Sequence, residues 1–152
     1  MKILCVCHAN VCRSFMAQEF LKKLLPEVTV FSRGLYADPS YTVPEKVKQA
    51  LAQQHIEFTK HTATPLLKAD LQEADLIFCM EKEHLDLLLD RYAQYTDKLW
   101  LLTDFAYNQE EDIPDPISLQ DRAFAKQAQE LYKICEAASK RIQHDFSRRE
   151  NL

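Results

Sequence analysis

Residues 2–14 read Lys2-Ile3-Leu4-Cys5-Val6-Cys7-His8-Ala9-Asn10-Val11-Cys12-Arg13-Ser14. Lys2–Val6 is a short apolar run after one lysine, the pattern of a strand buried on both faces. From Ser14 to Leu25 the period changes, and Met16, Phe20, Leu21 and Leu24 recur at helical spacing until Pro26 closes the segment. Strand, tight loop and helix therefore follow one another. If a second strand comes next, the connection is a right-handed crossover and the sheet is parallel.

The second strand is Val28–Ser32, rich in β-branched residues. Arg33–Val43 reads as a loop containing Gly34 and Asp38-Pro39, with Pro44 at its end. Glu45–Gln54 reads as a helix with Val47, Ala50 and Leu51 on one face, and Lys68–Gln72 as a short one. Asp75–Met80 is a third strand, Glu81–Tyr95 a helix presenting Leu85, Leu88, Leu89 and Tyr92, and Lys98–Leu102 a fourth strand. Thr103–Ile117 reads as an acidic loop. Ser118–Phe146 is a long last helix, with Phe124, Ala128, Leu131, Cys135, Ala138 and Ile142 as its apolar stripe. The expected architecture is an α/β fold, a four-stranded parallel sheet with helices on both faces, in a single domain over residues 1–152. In such sheets ligands bind beyond the carboxyl ends of the strands, so the residues after each strand matter most.

Composition narrows the function. The 19 Lys+Arg against 23 Asp+Glu give a net charge of −4, which argues against a nucleic-acid or acidic-membrane binder. No apolar run reaches the ~20 residues that span a bilayer, and the opening residues do not read as a signal peptide, so a cytoplasmic protein is expected. The five cysteines, an odd number, read as reduced thiols. Gly34 is the single glycine, which excludes the dinucleotide fingerprint and the Walker loop and leaves sharp turns to Asn, Asp and Pro.

The loop after the first strand carries the chemistry. It joins a strand to a helix N-terminus, where free N–H groups and the helix dipole attract an anion. The backbone of His8, Ala9, Asn10, Val11, Cys12, Arg13 and Ser14 can curl into an anion nest. Arg13 adds a planar fork matching two phosphate oxygens. Cys7 sits at the bottom of this positive bowl, whose field favours a thiolate aimed at phosphorus. Ser14 can donate to the Cys7 sulfur or cap the helix, and Asn10 tolerates a left-handed turn. The acidic segment offers Asp115, between Pro114 and Pro116, as a carboxyl group able to give a proton to a leaving oxygen and then activate water. Two blander readings stand beside this one: Cys7 and Cys12 as zinc ligands, though no further Cys or His pair completes a site, and a cluster of buried structural thiols. Cys5, Cys79 and Cys135 read as core residues, His61 as a structural hydrogen-bonding residue, and His55, His84 and His144 as surface residues.

The run Cys7–Ser14 resembles the low-molecular-weight protein tyrosine phosphatases, whose signature C-x-G-N-x-C-R-S-P it matches at Cys7, Asn10, Cys12, Arg13 and Ser14. The likeness extends along the chain through Ser32-Arg33-Gly34, Ile56–Ala63, Ala74–Met80 and Asp112–Pro116. It implies Cys7 as nucleophile, Arg13 as phosphate clamp, Ser14 as thiolate partner and Asp115 as general acid. It also implies a phosphocysteine intermediate, no cofactor or metal, and a phosphorylated protein or peptide as substrate, with inorganic phosphate or sulfate filling the same site. A monomer is expected. Cys12 is implied to form a reversible disulfide with an oxidised Cys7, the alternative being a small buried support.

Departures from the family pattern are Ala9 in place of Gly, Phe15 in place of Pro, Gln18 in place of Glu, and Ile117 where an aromatic wall is common. Leu35, Tyr36 and Tyr41 are candidate replacement walls. Val11 resembles the phosphotyrosine branch, the phosphoarginine-specific bacterial relatives resembling one another in Thr at this position. The alternatives are an arginine phosphatase of the same family, a non-catalytic phosphate-binding module, and an arsenate reductase. The last needs a pair of distal cysteines, and Cys79 has Asp86 seven residues on.

Overall fold

A computed structural model describes residues 1–150. The chain runs β1 (Lys2–Cys7), α1 (Arg13–Leu24), β2 (Thr29–Gly34), α2 (Glu45–Gln53), α3 (Lys68–Glu73), β3 (Leu76–Cys79), α4 (Lys82–Arg91), a 3-10 turn (Ala93–Lys98), β4 (Leu99–Leu101), α5 (Leu102–Tyr107) and α6 (Asp121–Glu150). The sheet has four parallel strands in the order β2-β1-β3-β4. From β1 the chain crosses to one side to lay down β2 and then to the other for β3. The direction of winding thus reverses at β1, and the carboxyl ends of β1 and β3 open a crevice there.

Both faces are covered. Ile3, Cys5 and Phe78 turn toward a core built with Phe15, Phe20 and Leu21 of α1, Val47 and Leu51 of α2 and the stripe of α6. That stripe, Phe124 through Ile142, is buried throughout, as its spacing predicts. Leu4, Val6, Ile77 and Cys79 turn the other way, onto Leu71 of α3 and Leu88 of α4. β1 is inaccessible from Ile3 to Val6 because it is central and sandwiched, which is why it reads as continuous rather than alternating.

Three expectations change. The segment from Thr103 is not wholly a loop, since α5 occupies its first turns. Leu102 and Phe105 are buried, and Asn108, left-handed at φ 57°, closes the helix. The acidic run that follows masked this short helix in the sequence. The helix expected over Glu81–Tyr95 ends at Arg91, because Tyr92 leaves helical geometry at φ −133°, ψ 54° and the chain tightens into the 3-10 turn. The last helix begins at Asp121 rather than Ser118. Left-handed residues other than glycine are Asn10, His55 and Asn108 among the described residues, so asparagine does take over sharp turns and His55 joins it. No helix among the described residues is long and apolar enough to cross a membrane.

Candidate active site

Cys7 ends β1 and Arg13 begins α1, so the intervening residues must reverse within one short loop. Asn10 makes the reversal at φ 62° and is wholly buried. Every polar atom of its side chain is used. Nδ2 donates to Ser14 Oγ and to Ser32 Oγ, both at 2.9 Å, while Oδ1 accepts from the Thr64 amide at 3.0 Å. Ser32 Oγ in turn donates a hydrogen bond to Gln18 Oε1 at 2.6 Å. The Asn10 carbonyl can only accept, so the ring nitrogen 2.6 Å away, His61 Nε2, carries the proton. Burial pushes the His61 pKa below its ordinary value, which favours the neutral ring.

Phe15 stacks on that imidazole with centroids 4.0 Å apart and planes 16° from parallel, and Phe58 meets Phe15 edge-on. The residue that departs from proline at the helix start is thereby a packing partner of the ring that holds the loop. Ala9 is not among the left-handed residues, so its methyl group brings no backbone strain.

The α1 N-terminus carries no side-chain cap and no acidic residue in its first turn. Its amides are left for a ligand, in the place where sequence spacing expects an anion. Cys7 Sγ–H donates to Ser14 Oγ at 2.9 Å beneath this loop. Cys12 is buried, and burial, with Asp115 and Cys7 adding to it, pushes its thiol up to about 12. It is a protonated neighbour at neutral pH. All five cysteines are free and buried, and Cys5, Cys79 and Cys135 lie in the cores as expected.

Arg13 is buried and held from one side. Its Nη1 donates to the Ile113 carbonyl at 2.8 Å and to Glu81 Oε1. The Ile113 amide in turn donates to the Met80 carbonyl at 2.9 Å, and Asp112 Oδ1 accepts from the Lys82 amide at 2.8 Å at the start of α4. These ties fasten the acidic segment to the carboxyl end of β3 and bring Asp115 Oδ2 to 3.9 Å from Arg13 Nη2. Cys7, Arg13, Ser14 and Asp115 are thus gathered at one place, with the backbone of 8–12 around them.

A recess of about 150 Å³, lined by residues 7–13 with Asp115 and Ile117, marks the cradle. A larger cavity of about 350 Å³ adjoins it, sharing His8, Arg13 and Asp115. Tyr36 lines this second cavity and packs against the His8 ring at a tilt of 43°. Tyr41, the third candidate wall, lines neither. Among the described residues, no group of three or more His, Cys, Asp and Glu side chains could hold a metal ion.

Sequence reading points to the stretch from Glu81 onward, after the third strand, but assigns no role to Glu81, the Ile113 carbonyl or His84. Glu81 and the Ile113 carbonyl reach Arg13 from β3 and the acidic segment, across 68 and 100 residues, and no local spacing announces them. His84, expected on the surface, is 6% exposed in the first turn of α4. Its burial follows from α4 lying directly against the end of the sheet.

The lone glycine also belongs to this site. A Cβ at Gly34 would stand 2.8 Å from the His8 carbonyl oxygen and 2.9 Å from the Asn10 amide nitrogen, both cradle backbone. Glycine is required here by close approach, since no glycine has positive φ. Gly34→Ala is expected to destabilise the fold by about 1–3 kcal/mol in urea unfolding. It should also weaken inorganic phosphate binding about tenfold or more in calorimetry. Unchanged phosphate affinity would show that the loop does not depend on this contact.

The low molecular weight phosphotyrosine protein phosphatase family model matches residues 2–148. A protein-arginine-phosphatase of Bacillus subtilis (strain 168) is 27% identical over 95% of this chain and 99% of its own length. A probable low molecular weight protein-tyrosine-phosphatase, EpsP, of Ralstonia nicotianae is 31% identical over 92% of this chain and 94% of its own. Among solved structures, YwlE arginine phosphatase, as a cysteine-to-serine mutant with a phosphorylated active-site serine, superposes with a TM-score of 0.89. It is 26% identical over 95% of this chain and 97% of that one.

Proposed function

The chain belongs to the low molecular weight phosphotyrosine protein phosphatase family, and we propose that it hydrolyses phosphotyrosine in proteins through a phosphocysteine at Cys7. One observation carries the reading: Cys7 Sγ lies under an uncapped helix N-terminus that also presents a buried, pre-aimed arginine.

In the first step Cys7, its proton released to solvent beforehand, attacks phosphorus as the thiolate, the S–P bond forms and the P–O bond to the leaving group breaks. Negative charge spreading over the equatorial oxygens meets the amides of residues 8–13 and the Nε–Nη2 edge of Arg13, the edge that Glu81 and Ile113 leave open. These groups supply the positive field without calling on a metal. With the sulfur ionised, the Cys7–Ser14 contact reverses and Ser14 donates its hydroxyl proton to sulfur. It continues to accept from Asn10 Nδ2, so with the sulfur ionised the hydroxyl both donates and accepts. Asp115 gives its proton to the departing phenolic oxygen. In the second step the same carboxylate takes a proton from water as that water attacks phosphorus, and the S–P bond breaks to release phosphate.

The site draws on residues of one chain, which supports a monomer as the acting form. It works where thiols stay reduced, in the cytoplasm. Val11 supports tyrosine over arginine as the phosphorylated residue. The phosphoarginine reading draws its support from the Bacillus relative.

The test is a side-by-side assay on phosphotyrosine, phosphoarginine and phosphoserine peptides, with Asp115→Ala alongside. Phosphotyrosine should be turned over fastest, and Asp115→Ala should lose about 10²-fold on it. Turnover of phosphoarginine with phosphotyrosine left intact overturns the assignment to tyrosine. Tight phosphopeptide binding with no turnover would leave a binding module.

A further inference from the structure

We propose that the cavity beside the cradle is a subsite for a basic side chain, a guanidinium or ammonium group, that neighbours the phosphorylated residue in the substrate. The inference rests on the cradle being the phosphate site. Its first argument is charge. The 350 Å³ cavity is walled by the carboxylates of Glu81 and Glu83, with Arg13 as its guanidinium, while Asp115, also at the wall, carries the proton it gives to the leaving group. Arg13 is tied to Glu81 and serves the bound dianion, so phosphate binding consumes its positive charge. Among the described residues the ion pairs of this wall join Arg13 to Glu81 and Asp115 and His84 to Glu81, and none engages Glu83. The occupied site is therefore left with acidic groups in want of a cation.

The second argument comes from two rings. Tyr36, 58% exposed, packs against His8 with centroids 4.9 Å apart and planes tilted by 43°, offering an aromatic face at the cavity wall. His84 forms another part of the wall with its side chain only 7% exposed. Its Nδ1 is the one buried side-chain polar atom without a hydrogen-bond partner among the described residues. Desolvation first of all, with Arg13 and His8 adding to it, lowers the His84 pKa, while Glu81 and Glu83 oppose this. A neutral ring whose Nε2 faces Glu81 Oε2, at 3.8 Å, leaves Nδ1 as a lone-pair acceptor. Carboxylates and an aromatic face call for a cation, and the unpartnered Nδ1 buried beneath this wall is an acceptor in want of a donor.

The third argument is position. The cavity shares His8, Arg13 and Asp115 with the cradle, so its occupant lies beside the phosphate. A residue adjacent in the substrate chain arrives there with the phosphoryl group and pays no separate association entropy.

Two phosphotyrosine peptides test this, identical except that arginine on both sides of the phosphotyrosine is replaced by citrulline, which keeps the shape and removes the charge. Affinities are measured by calorimetry on the Cys7→Ser protein and kcat/KM on the unmodified one. The arginine peptide should bind about fivefold tighter at low salt, with the gap narrowing as salt rises. Glu83→Gln should bring the two peptides close to parity, and Tyr36→Leu serves as the second probe if that variant does not fold. Equal affinities in the Cys7→Ser background overturn the subsite. Equal turnover of both peptides also defeats it while leaving the phosphatase reading intact. A clear binding preference with no turnover by the unmodified protein supports the subsite and defeats the phosphatase reading.

Discussion

Cys7→Ser is expected to abolish turnover, by roughly 10⁴-fold or more, while the protein still folds and still binds phosphate. Serine is nearly isosteric with cysteine, and residue 7 is almost fully buried at the end of β1, so backbone and amides stay in place. What is lost is nucleophilicity. Among the described residues the side-chain partner of residue 7 is Ser14, another hydroxyl and no base for a serine proton. Steady-state kinetics on an aryl phosphate gives the loss, and calorimetry with inorganic phosphate gives the retained binding. Turnover near the unmodified level would remove the sulfur from the mechanism.

Arg13→Lys is the second large effect, a fall in kcat/KM of about 10²–10³-fold carried mainly by kcat. The guanidinium performs two tasks at once. Nη1 is spent on Glu81 and the Ile113 carbonyl, and the opposite edge remains for two phosphate oxygens. An ammonium group has no second edge. Lysine at this buried position would pair with Glu81 and abandon the phosphate, or reach the phosphate and strand Glu81. Thermal unfolding should shift modestly because the charge is kept. A drop in kcat/KM no greater than that of an exposed Arg-to-Lys change would mean that the fork is not the clamp.

The contrast between these residues explains what could be read in the sequence. Cys7, Arg13 and Ser14 lie in one continuous loop between a strand and a helix, and local periodicity marks both ends. The strand β1 and the stripe of α6 were equally legible because burial imposes an unbroken apolar run on the one and helical spacing on the other. Glu81 and the Ile113 carbonyl reach the same loop only through the sheet order, which brings the end of β3 beside the end of β1, and Thr64 reaches it through its segment's bridge to Gly34 at the end of β2. A backbone carbonyl has no letter in the sequence at all. His84 was misjudged for a related reason: it falls in the first turn of a short helix whose charged neighbours suggest solvent, and only tertiary packing covers it. α5 was hidden by its length, six residues being too few to display a period.

The central claim is that a phosphoryl group passes through the Cys7 sulfur. Rapid mixing with a phosphotyrosine peptide, acid quenching within the first turnover and mass analysis of the proteolysed protein tests it directly. The account predicts a phosphoryl group on the fragment carrying Cys7, formed as the tyrosine leaves and lost as phosphate is released. Steady turnover with no phosphoryl group on that cysteine at any time, or with the group on another side chain, would contradict it.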